Sequence, residues 1–351
     1  LDQLILESTT MALGWKEISN VIESVVPLYF ALALGYCSVK WWKVFTAEHG
    51  AVVNKLVCSF ILPFLTFNLT SQINPFTMNF RFIAADAISK LVIITTLVLW
   101  AKFSPKGNYG WFVTGYSLST MTNSLIVGVP ILGAMYGKTG SDLVVQSAVV
   151  QAILWVTLLL LGLEVQRALS PDENTKDFEE NIEGKRGSYI EIMMAVLSKL
   201  VANPNLYSVV VALSWALVAN RWGIAMPKVI ENSVMIISKA GSGTAMFSMG
   251  IFMGVQKRVI ACGATLTAMG MFLRFVFAPL AMAAGSFAVG LKGDVLHIGI
   301  VFAAVPQSVT SFVLAKNYDL HPDVVSTAVI FGMLVSLPVV IGYYFLVAYI
   351  A

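Results

Sequence analysis

A carboxylate and an ammonium group lie four residues apart in the otherwise apolar segment RFIAADAISKLVII, as Asp86 and Lys90. Residues at this spacing share one face of a helix, so the two charges can pair. Charged side chains within a membrane span are costly and usually serve a function. Two interpretations stay open: an ion- or proton-sensitive pair beside the path of a bound substrate, or a structural pair that fixes this helix to its neighbours.

A second group of candidate residues combines a side-chain amide with helix breakers. The segment NSLIVGVPILGAMYG starts at Asn123 and carries Pro130 between Gly128 and Gly133. Proline removes a backbone donor and clashes with the carbonyl four residues earlier, so an unbroken helix is disfavoured. At membrane depth such freed backbone groups persist only when they are buried in protein or line a wet cavity. The alternative is a simple proline kink.

A later segment, AAVPQSVTSFVLAKNY, is also polar in its middle, with Gln307 and Ser311 after Pro306. We expect two broken helices that cross in an X, with Pro130 near the first break and about Ser311 as its counterpart. The positive N-terminal ends of the half-helices would then meet at the protein centre. Each end favours an anion by about 0.3–1 kcal/mol, and by more when it is partly buried. Asn123 would add side-chain donors.

Arg274 is the only charge in the segment MFLRFVFAP. It could neutralise a carboxylate or bind carbonyl groups at a helix C-terminus, and we favour the second, structural role.

Other chemistry is not indicated by the sequence. The three histidines are scattered at no metal-ligand spacing, and no Ser-His-Asp order, phosphate loop or cofactor fingerprint is present. We therefore expect no enzyme activity, no cofactor and no metal. The formal net charge is only +3 and no basic run occurs, so a nucleic-acid partner is not expected either.

The elements that must position these residues are membrane helices. The chain of 351 residues is 58% hydrophobic and only 12% charged, about half the charged share of a soluble domain. Spans need about 20 apolar residues. We expect ten, at roughly 20–39, 48–70, 81–103, 111–136, 142–166, 205–221, 230–255, 259–290, 295–316 and 323–349.

The halves of the chain resemble each other weakly. Pro27-Leu28-Tyr29 opens the first span and Pro204-Asn205-Leu206-Tyr207 the sixth, while DLVVQSAV after residue 141 matches DVVSTAV after residue 322. Five spans per half place the second copy upside down, and inverted repeats with interrupted helices are typical of transporters, with the site at the midplane. We expect repeats at 18–166 and 194–349, joined by a short polar loop at 167–193. The segment IMMAVLSKLVANP after residue 191 should form a short interfacial helix that leads into the sixth span.

Lys and Arg residues are about twice as frequent in the loops on one side of these spans as on the other. The richer side should be cytosolic, so both termini face away from the cytosol and the polar loop lies in it. A channel or a receptor is the competing class, and the inverted repeat favours alternating access over both.

The runs VPLYFALALGYCSVKWWKVFT, NPFTMNFRFIAAD, NSLIVGVPILGAMYG, NPNLYS, AMFSMGIFMG and HPDVVSTAVIFGMLVSLP closely resemble the PIN-FORMED auxin efflux carriers of plants. The resemblance extends from about residue 18 to 349. It implies an all-α integral membrane protein with ten transmembrane helices in two inverted five-helix repeats, and crossed, broken fourth and ninth helices. It also implies a homodimer in a lipid bilayer, with a scaffold and a transport domain.

The same resemblance implies export of the indole-3-acetate anion by an elevator motion without a strict need for a sodium or proton gradient. The short loop is similar to that of the endoplasmic-reticulum subgroup, so we expect transport from cytosol to lumen, with the plasma membrane as the alternative. Another organic anion, possibly ion-coupled, is the alternative substrate.

Several site residues follow from the resemblance alone. The family's crossover proline matches Pro130, its binding asparagines match Asn123 and Asn205, and its indole-lining residue matches Leu62. Its support pair matches Asp86 and Lys90. Further substrate-binding residues are expected at Leu125, Val129, Pro130, Gln307 and Ser311. The sequence departs from the family at Ser311, where a second crossover proline is common, and at Thr122, where proline is also common.

Overall fold

The computed structural model describes residues 2–105, 107–169, 185–256 and 260–350, and their side chains over 19–105, 107–169, 190–256 and 260–349. Most of the expected polar loop, 170–184, lies outside the described residues. So do Lys106, Lys257 and Arg258, which contributed to the expected orientation.

Helices form nearly all of the described chain, and most of their boundaries lie within about five residues of the expected ones. The first helix, however, begins at Asp2 rather than near residue 20. The helix Val129–Val150 includes residues 136–142, where we expected a boundary between two spans, and its backbone angles are non-helical at Gly137. The helices are α1 Asp2–Lys40, α2 Ala47–Leu56, α3 Leu62–Ser71, α4 Phe80–Phe103, α5 Tyr109–Thr120, α6 Val129–Val150, α7 Val156–Leu169, α8 Lys185–Val201, α9 Pro204–Trp222, α10 Lys228–Lys239, α11 Gly241–Val255, α12 Ala264–Phe272, α13 Ala278–Ala288, α14 Asp294–Ala303, α15 Val309–Asn317 and α16 Pro322–Ile350.

Seven stretches of the described residues are long and apolar enough to cross a membrane. An eighth is obtained if α8 and α9, which are bent by 69° at their junction, are counted as one span. The seven stretches are Ser19–Lys40, Ala47–Ser71, Phe80–Phe103, Ser124–Leu169, Lys228–Val255, Ala264–Ala288 and Pro322–Tyr349. The protein is thus an all-helical integral membrane protein.

The longest of these stretches turns back on itself at Gly137. This glycine has φ 64° and ψ −148°, far from helical values, and such positive φ angles suit glycine. A Cβ at Gly140 would run into the carbonyl oxygen of Leu132, and one at Gly133 into the Ser141 hydroxyl. Residues eight apart in one straight helix lie about 12 Å from each other, so the two arms pack together as a hairpin.

Two helix pairs pack backbone against backbone. Gly35 on α1 lies against α11, Gly250 on α11 lies against the carbonyl of Leu32, and Gly285 on α13 lies against the carbonyl of Ala85 on α4. Small residues allow such close approach in membranes, where packing and interhelical contacts drive helix association. The α1–α11 and α4–α13 pairs are therefore tight units within the bundle.

Three prolines follow π-helical turns at the same distance, two residues after the turn ends. The turns are Val57–Ile61, Ser124–Gly128 and Leu273–Phe277, and the prolines are Pro63, Pro130 and Pro279. A proline clashes with the carbonyl four residues earlier, and the wider turn relieves that contact. Pro130 is accordingly accommodated inside a continuous helical stretch, and our expectation that it lies at the helix break is wrong.

Helix α8, where we expected an interfacial helix, has an apolar exposed side that includes Ile190, Met194 and Leu197. Its Lys199 donates a hydrogen bond to the Glu164 carboxylate at 2.5 Å and also contacts the Tyr318 hydroxyl. The helix is thus attached to α7 and to the residue that follows α15.

Candidate functional site

Two interrupted helices cross at the centre of the site. Helix α5 ends at Thr120 and helix α14 ends at Ala303. After each of these ends the backbone continues through a short extended stretch. Thr122 and Gln307 form an antiparallel bridge there. The backbone N–H of Asn123 donates to the Pro306 carbonyl at 2.9 Å, and both of these residues are buried. The expected interruptions are present, but the first one spans residues 121–123 and therefore ends before Pro130.

The second bond of the crossing runs in the opposite direction, from the Ser308 amide to the Met121 carbonyl at 3.0 Å. The two extended stretches thus satisfy each other's backbone groups as two strands of a sheet do. Outside water, unpaired backbone groups are costly, which explains why two helices must be interrupted at the same place.

The helix that follows Asn123 starts with uncapped amides. Asn123 occupies the N-cap position without a side-chain cap. Within the described part of the chain, the backbone N–H groups of Ser124, Leu125 and Ile126 have no acceptor. The helix that starts at Val309 is capped by the Ser308 hydroxyl, which accepts from the Thr310 amide at 3.3 Å. Free amides and the positive helix end together favour a bound anion.

The side-chain amide nitrogen of Asn123, Nδ2, is another donor without an acceptor in the described part of the chain. Asn123 is only 5% exposed. A buried donor left without an acceptor costs about 1–3 kcal/mol. Asn123 therefore offers a donor that a ligand oxygen could use, beside the free amides of the same turn.

Gln151 holds the first extended stretch from the opposite side. Its Nε2 donates to the Thr122 carbonyl at 2.8 Å, and its Oε1 accepts from the Thr122 amide at 3.1 Å and from the Thr122 hydroxyl at 2.6 Å. The sequence analysis missed this residue. The signal was a polar side chain in the apolar run 148–156.

Gln307 on the second extended stretch lies beside Ser311, which is in the first turn of α15. Gln307 Nε2 donates to the Ser311 hydroxyl at 2.9 Å and to the Ser117 carbonyl at 3.4 Å, and the Ser311 hydroxyl donates to the Ser308 carbonyl at 2.5 Å. The Oε1 of Gln307 is buried without a partner among the described residues. A ligand donor or a water molecule would satisfy this oxygen.

The C-terminal ends of the half-helices bind Arg274. Its Nε donates to the Val305 carbonyl at 2.7 Å, its Nη1 donates to the Ser119 carbonyl at 3.0 Å, and its Nη2 also contacts the Val305 carbonyl. The side chain is almost fully buried. Of the two roles considered for Arg274, the structure supports binding of helix C-terminal carbonyls.

Asp86 and Lys90 form an ion pair. Lys90 Nζ lies 2.6 Å from Asp86 Oδ2, and both side chains are buried. The ammonium group also lies 5.0 Å from the ring centre of Trp155, which closes the π-helical turn that begins with Gln151. The pair therefore borders the segment that holds the crossing.

The apolar candidates lie in two neighbouring clusters. Leu125 and Val129 pack against a cluster that contains Val209 on α9, one turn after Asn205. Leu62, at the start of α3, packs against the main core. This core also contains Ile126 of the same π-helical turn.

Asn205 Oδ1 accepts a hydrogen bond from the Thr66 hydroxyl at 2.7 Å, which links α9 to α3. Among the described residues no hydrogen bond joins Asn205 to Asn123. The structure thus brings Asn123, Leu125, Val129 and Pro130 together in one segment, with Leu62 and Asn205 on helices that adjoin it.

Two cavities open along α5 on the side of His321. The larger, of about 330 Å³, is lined by Asn108, Tyr109, Gly110, Gln166, Leu169, Leu320 and His321. The smaller is lined by Val113, Thr114, Ser117, Leu159, Leu163, Ser311, Ala315, Leu320 and Val325. The lining of the smaller cavity includes Ser311 of the crossing, but Asn123 lines neither cavity.

Comparison with known proteins gives consistent results. The family described as "Membrane transport protein" matches residues 20–344. Auxin efflux carrier component 5 of Arabidopsis thaliana is 53% identical over 93% of this chain and 97% of its own length. Probable auxin efflux carrier component 5a of Oryza sativa subsp. japonica is 48% identical over 95% and 98%. Auxin efflux carrier component 8 of Arabidopsis thaliana is 36% identical over 95% and 99%.

Proposed function

The chain belongs to the PIN-FORMED branch of the membrane transport proteins and is not an enzyme, and we propose that it carries the auxin anion, indole-3-acetate, across a membrane. The names of its relatives support the substrate. The observation that carries the proposal is the buried Nδ2 of Asn123, which has no partner among the described atoms, beside three backbone N–H groups that have no acceptor within the described part of the chain.

The substrate carboxylate would bind at this start of the helix. Carboxylate oxygens accept hydrogen bonds from the Asn123 amide group and from the N–H groups of Ser124 to Ile126, and bonds to a charged acceptor are stronger than bonds between neutral groups. The positive end of the helix adds to this attraction. No protonated substrate is required, because the donors are already present.

The indole ring would bind against apolar side chains next to that carboxylate. Leu125 and Val129 lie four residues apart on one face of the helix that follows Asn123, and Leu62 and Asn205 lie on the adjoining helices α3 and α9. Gln307 Oε1, which has no partner among the described atoms, is available to an N–H group such as that of indole. Apolar walls with a few polar groups are typical of small-molecule sites.

We further propose ten spans in two inverted repeats and an elevator motion. The hairpin at Gly137 divides the 46-residue stretch Ser124–Leu169 into two spans. Helix α9 as one span and α14 with α15 as another bring the number to ten, and α5 joins the helix from Ser124 as the first part of its span. The antiparallel pairing of Thr122 with Gln307 supports two copies of opposite orientation. A homodimer and the endoplasmic-reticulum membrane, with transport from cytosol to lumen, complete the proposal; the plasma membrane is the alternative.

The test is uptake of radiolabelled indole-3-acetate into proteoliposomes that contain the purified protein. Asn123→Ala should reduce uptake at low substrate concentration by about tenfold, as expected for the loss of one hydrogen bond to a charged group. Asn123→Asp should abolish it, because the new carboxylate repels the substrate. The surface variant Asn317→Ala is the matched control. Normal uptake by folded Asn123→Ala would contradict the site.

The same preparation separates the alternatives. A panel of competing aromatic and aliphatic acids distinguishes auxin from another organic anion, and replacement of sodium by choline distinguishes uncoupled from ion-coupled transport. Conductance far above carrier turnover would indicate a channel, and binding without net flux would indicate a receptor.

A further inference from the structure

We propose that Arg274 is a built-in cation of the crossing: its guanidinium group fills the point where two half-helix C-termini meet, and its charge prepares the site for a monovalent anion. The inference rests on the proposed anion transport and adds a positioning residue to it. It begins from three hydrogen bonds that this one side chain makes to the backbone of both crossing segments.

These acceptors belong to two different helix ends. The Ser119 carbonyl lies in the last turn of α5, and the Val305 carbonyl lies two residues after the end of α14. One guanidinium group therefore joins the two helices on the side where their negative ends converge. Such unpaired carbonyls need a donor, because none can reach water within the membrane.

No carboxylate neutralises Arg274 among the described residues. The ion pairs there are Asp86–Lys90, Lys138–Asp142 and Glu164–Lys199. A charge buried in a membrane protein without any compensation would be very costly. The compensation must therefore come from the carbonyl ends themselves, each of which carries about half a negative charge.

The charges at the crossing add up to a positive sum when no substrate is bound. Two helix N-termini and two C-termini contribute about +0.5 and −0.5 each and cancel. The Asp86–Lys90 pair is neutral as a whole. Arg274 leaves about one positive charge in the empty site, and one carboxylate brings the loaded site close to neutrality. The site is thus matched to a monovalent anion.

The same geometry leaves no opening for a cation from solution. In transporters with broken helices, unwound carbonyls and half-helix C-termini coordinate sodium ions or protons. Here the corresponding carbonyls of Ser119 and Val305 already bind a guanidinium group that cannot dissociate. Removing that group should create a cation site that the natural protein lacks.

The experiment compares Arg274→Ala, Arg274→Lys and Arg274→Gln with the unaltered protein in choline, sodium and millimolar guanidinium buffers of equal ionic strength. In choline, Arg274→Ala should bind indole-3-acetate at least about tenfold more weakly, since one favourable charge interaction is lost. Sodium or guanidinium should restore part of that affinity, whereas the unaltered protein should respond to neither. The surface variant Lys292→Ala is the charge control.

Arg274→Lys and Arg274→Gln test the same role of Arg274 if Arg274→Ala does not fold. Lysine keeps the charge with fewer donors, and glutamine keeps donors without the charge, so affinity should follow lysine above glutamine. The reverse order, or an Arg274→Ala protein that ignores guanidinium, would overturn the built-in cation.

Thermal unfolding without any auxin gives an independent measurement. Guanidinium should raise the Tm of Arg274→Ala and leave the unaltered protein unchanged. This result does not depend on the identity of the substrate. Absent auxin transport in the unaltered protein would therefore reject the proposed function, while an unchanged Tm in Arg274→Ala would reject the role of Arg274.

Discussion

The side-chain amide of Gln151 binds both backbone polar groups of Thr122, at 2.8 Å to the carbonyl and 3.1 Å to the amide. A side chain on a helix thus makes the two hydrogen bonds that a neighbouring strand would make. It does so on the side of Thr122 opposite to Gln307. The extended stretch is held from both sides, which keeps the helix break in one conformation without a ligand.

Gln151→Leu should therefore destabilise the crossing more than an ordinary polar-to-apolar change. It leaves the Thr122 N–H and carbonyl buried without partners, at about 1–3 kcal/mol for each. We expect a clear fall in Tm and in transport. Gln151→Glu keeps an acceptor for the Thr122 N–H but loses the donor to the Thr122 carbonyl, so its Tm should lie between those of the unaltered protein and Gln151→Leu. Gln72→Leu, outside the crossing, is the control, and equal effects of the two leucine variants would contradict this role.

The Asp86–Lys90 pair should behave as a buried, mutually dependent pair. Asp86→Asn or Lys90→Met alone leaves one uncompensated charge and should cost about 3–5 kcal/mol. The double variant removes both charges and should be more stable than either single variant. A double-mutant cycle based on thermal unfolding measures the coupling, and additive effects would show that the two charges do not interact.

Transport by the double variant then separates the two interpretations of the pair. Retained flux at restored stability would show a purely structural pair. Lost flux in a stable protein would show that the charges act on the substrate or on the motion.

Ser311 should tune the position of Gln307 rather than bind the substrate strongly. Ser311→Ala removes the oxygen that accepts from Gln307 Nε2 and leaves that group only the longer bond to Ser117. A neutral hydrogen bond contributes about 0.5–1.5 kcal/mol, so the KM for auxin should rise a few-fold with little change in Tm. The exposed neighbour variant Thr310→Val is the control. A KM equal to that of the unaltered protein would show that Gln307 keeps its place without Ser311.

Acid should weaken the fold through His321. Its Nδ1 lies 2.8 Å from the Thr114 hydroxyl and its ring stacks on Trp111 at 4.0 Å. Burial lowers the pKa of the His321 imidazole. The unfolded chain therefore binds this proton more tightly, so the contribution of His321 is complete above its ordinary pKa of about 6.5 and is lost as the pH falls below it.

The measurement is Tm as a function of pH for the unaltered protein and for His321→Gln. The decline between neutral and mildly acidic pH should be shallower in the variant. Parallel curves would mean that other groups carry the acid sensitivity.

Composition and the spacing of apolar residues predicted where the helices lie, because a bilayer demands long apolar helices almost regardless of detail. The position of the first helix interruption was harder to predict. Pro130 is the strongest local breaker, yet a π-helical turn absorbs it, and the interruption falls at Met121–Asn123, where the residue types give little warning. The partner segment fixes that position through Pro306 and Ser308, and such pairing cannot be seen from either segment alone.

Side chains with an obvious charge were easier to interpret than uncharged ones. Arg274 stood out as a charge in an apolar span, and its carbonyl partners agree with the favoured interpretation. Gln151 is a single amide with no motif around it, so only the three-dimensional structure connects it to Thr122. The roles of Asn123, Asn205 and Leu62 in binding auxin stay predictions for the flux experiments.

The glycine contacts between α1 and α11 also bear on how the protein is made. Gly35 and Gly250 touch the opposite backbone, yet roughly 200 residues separate them, which a ribosome takes on the order of 10–40 s to add at about 5–20 residues per second. Until then the glycine face of α1 must border lipid or another helix. The contact between α1 and α11 therefore forms only after both helices have left the translocon, as a late step of assembly within the bilayer.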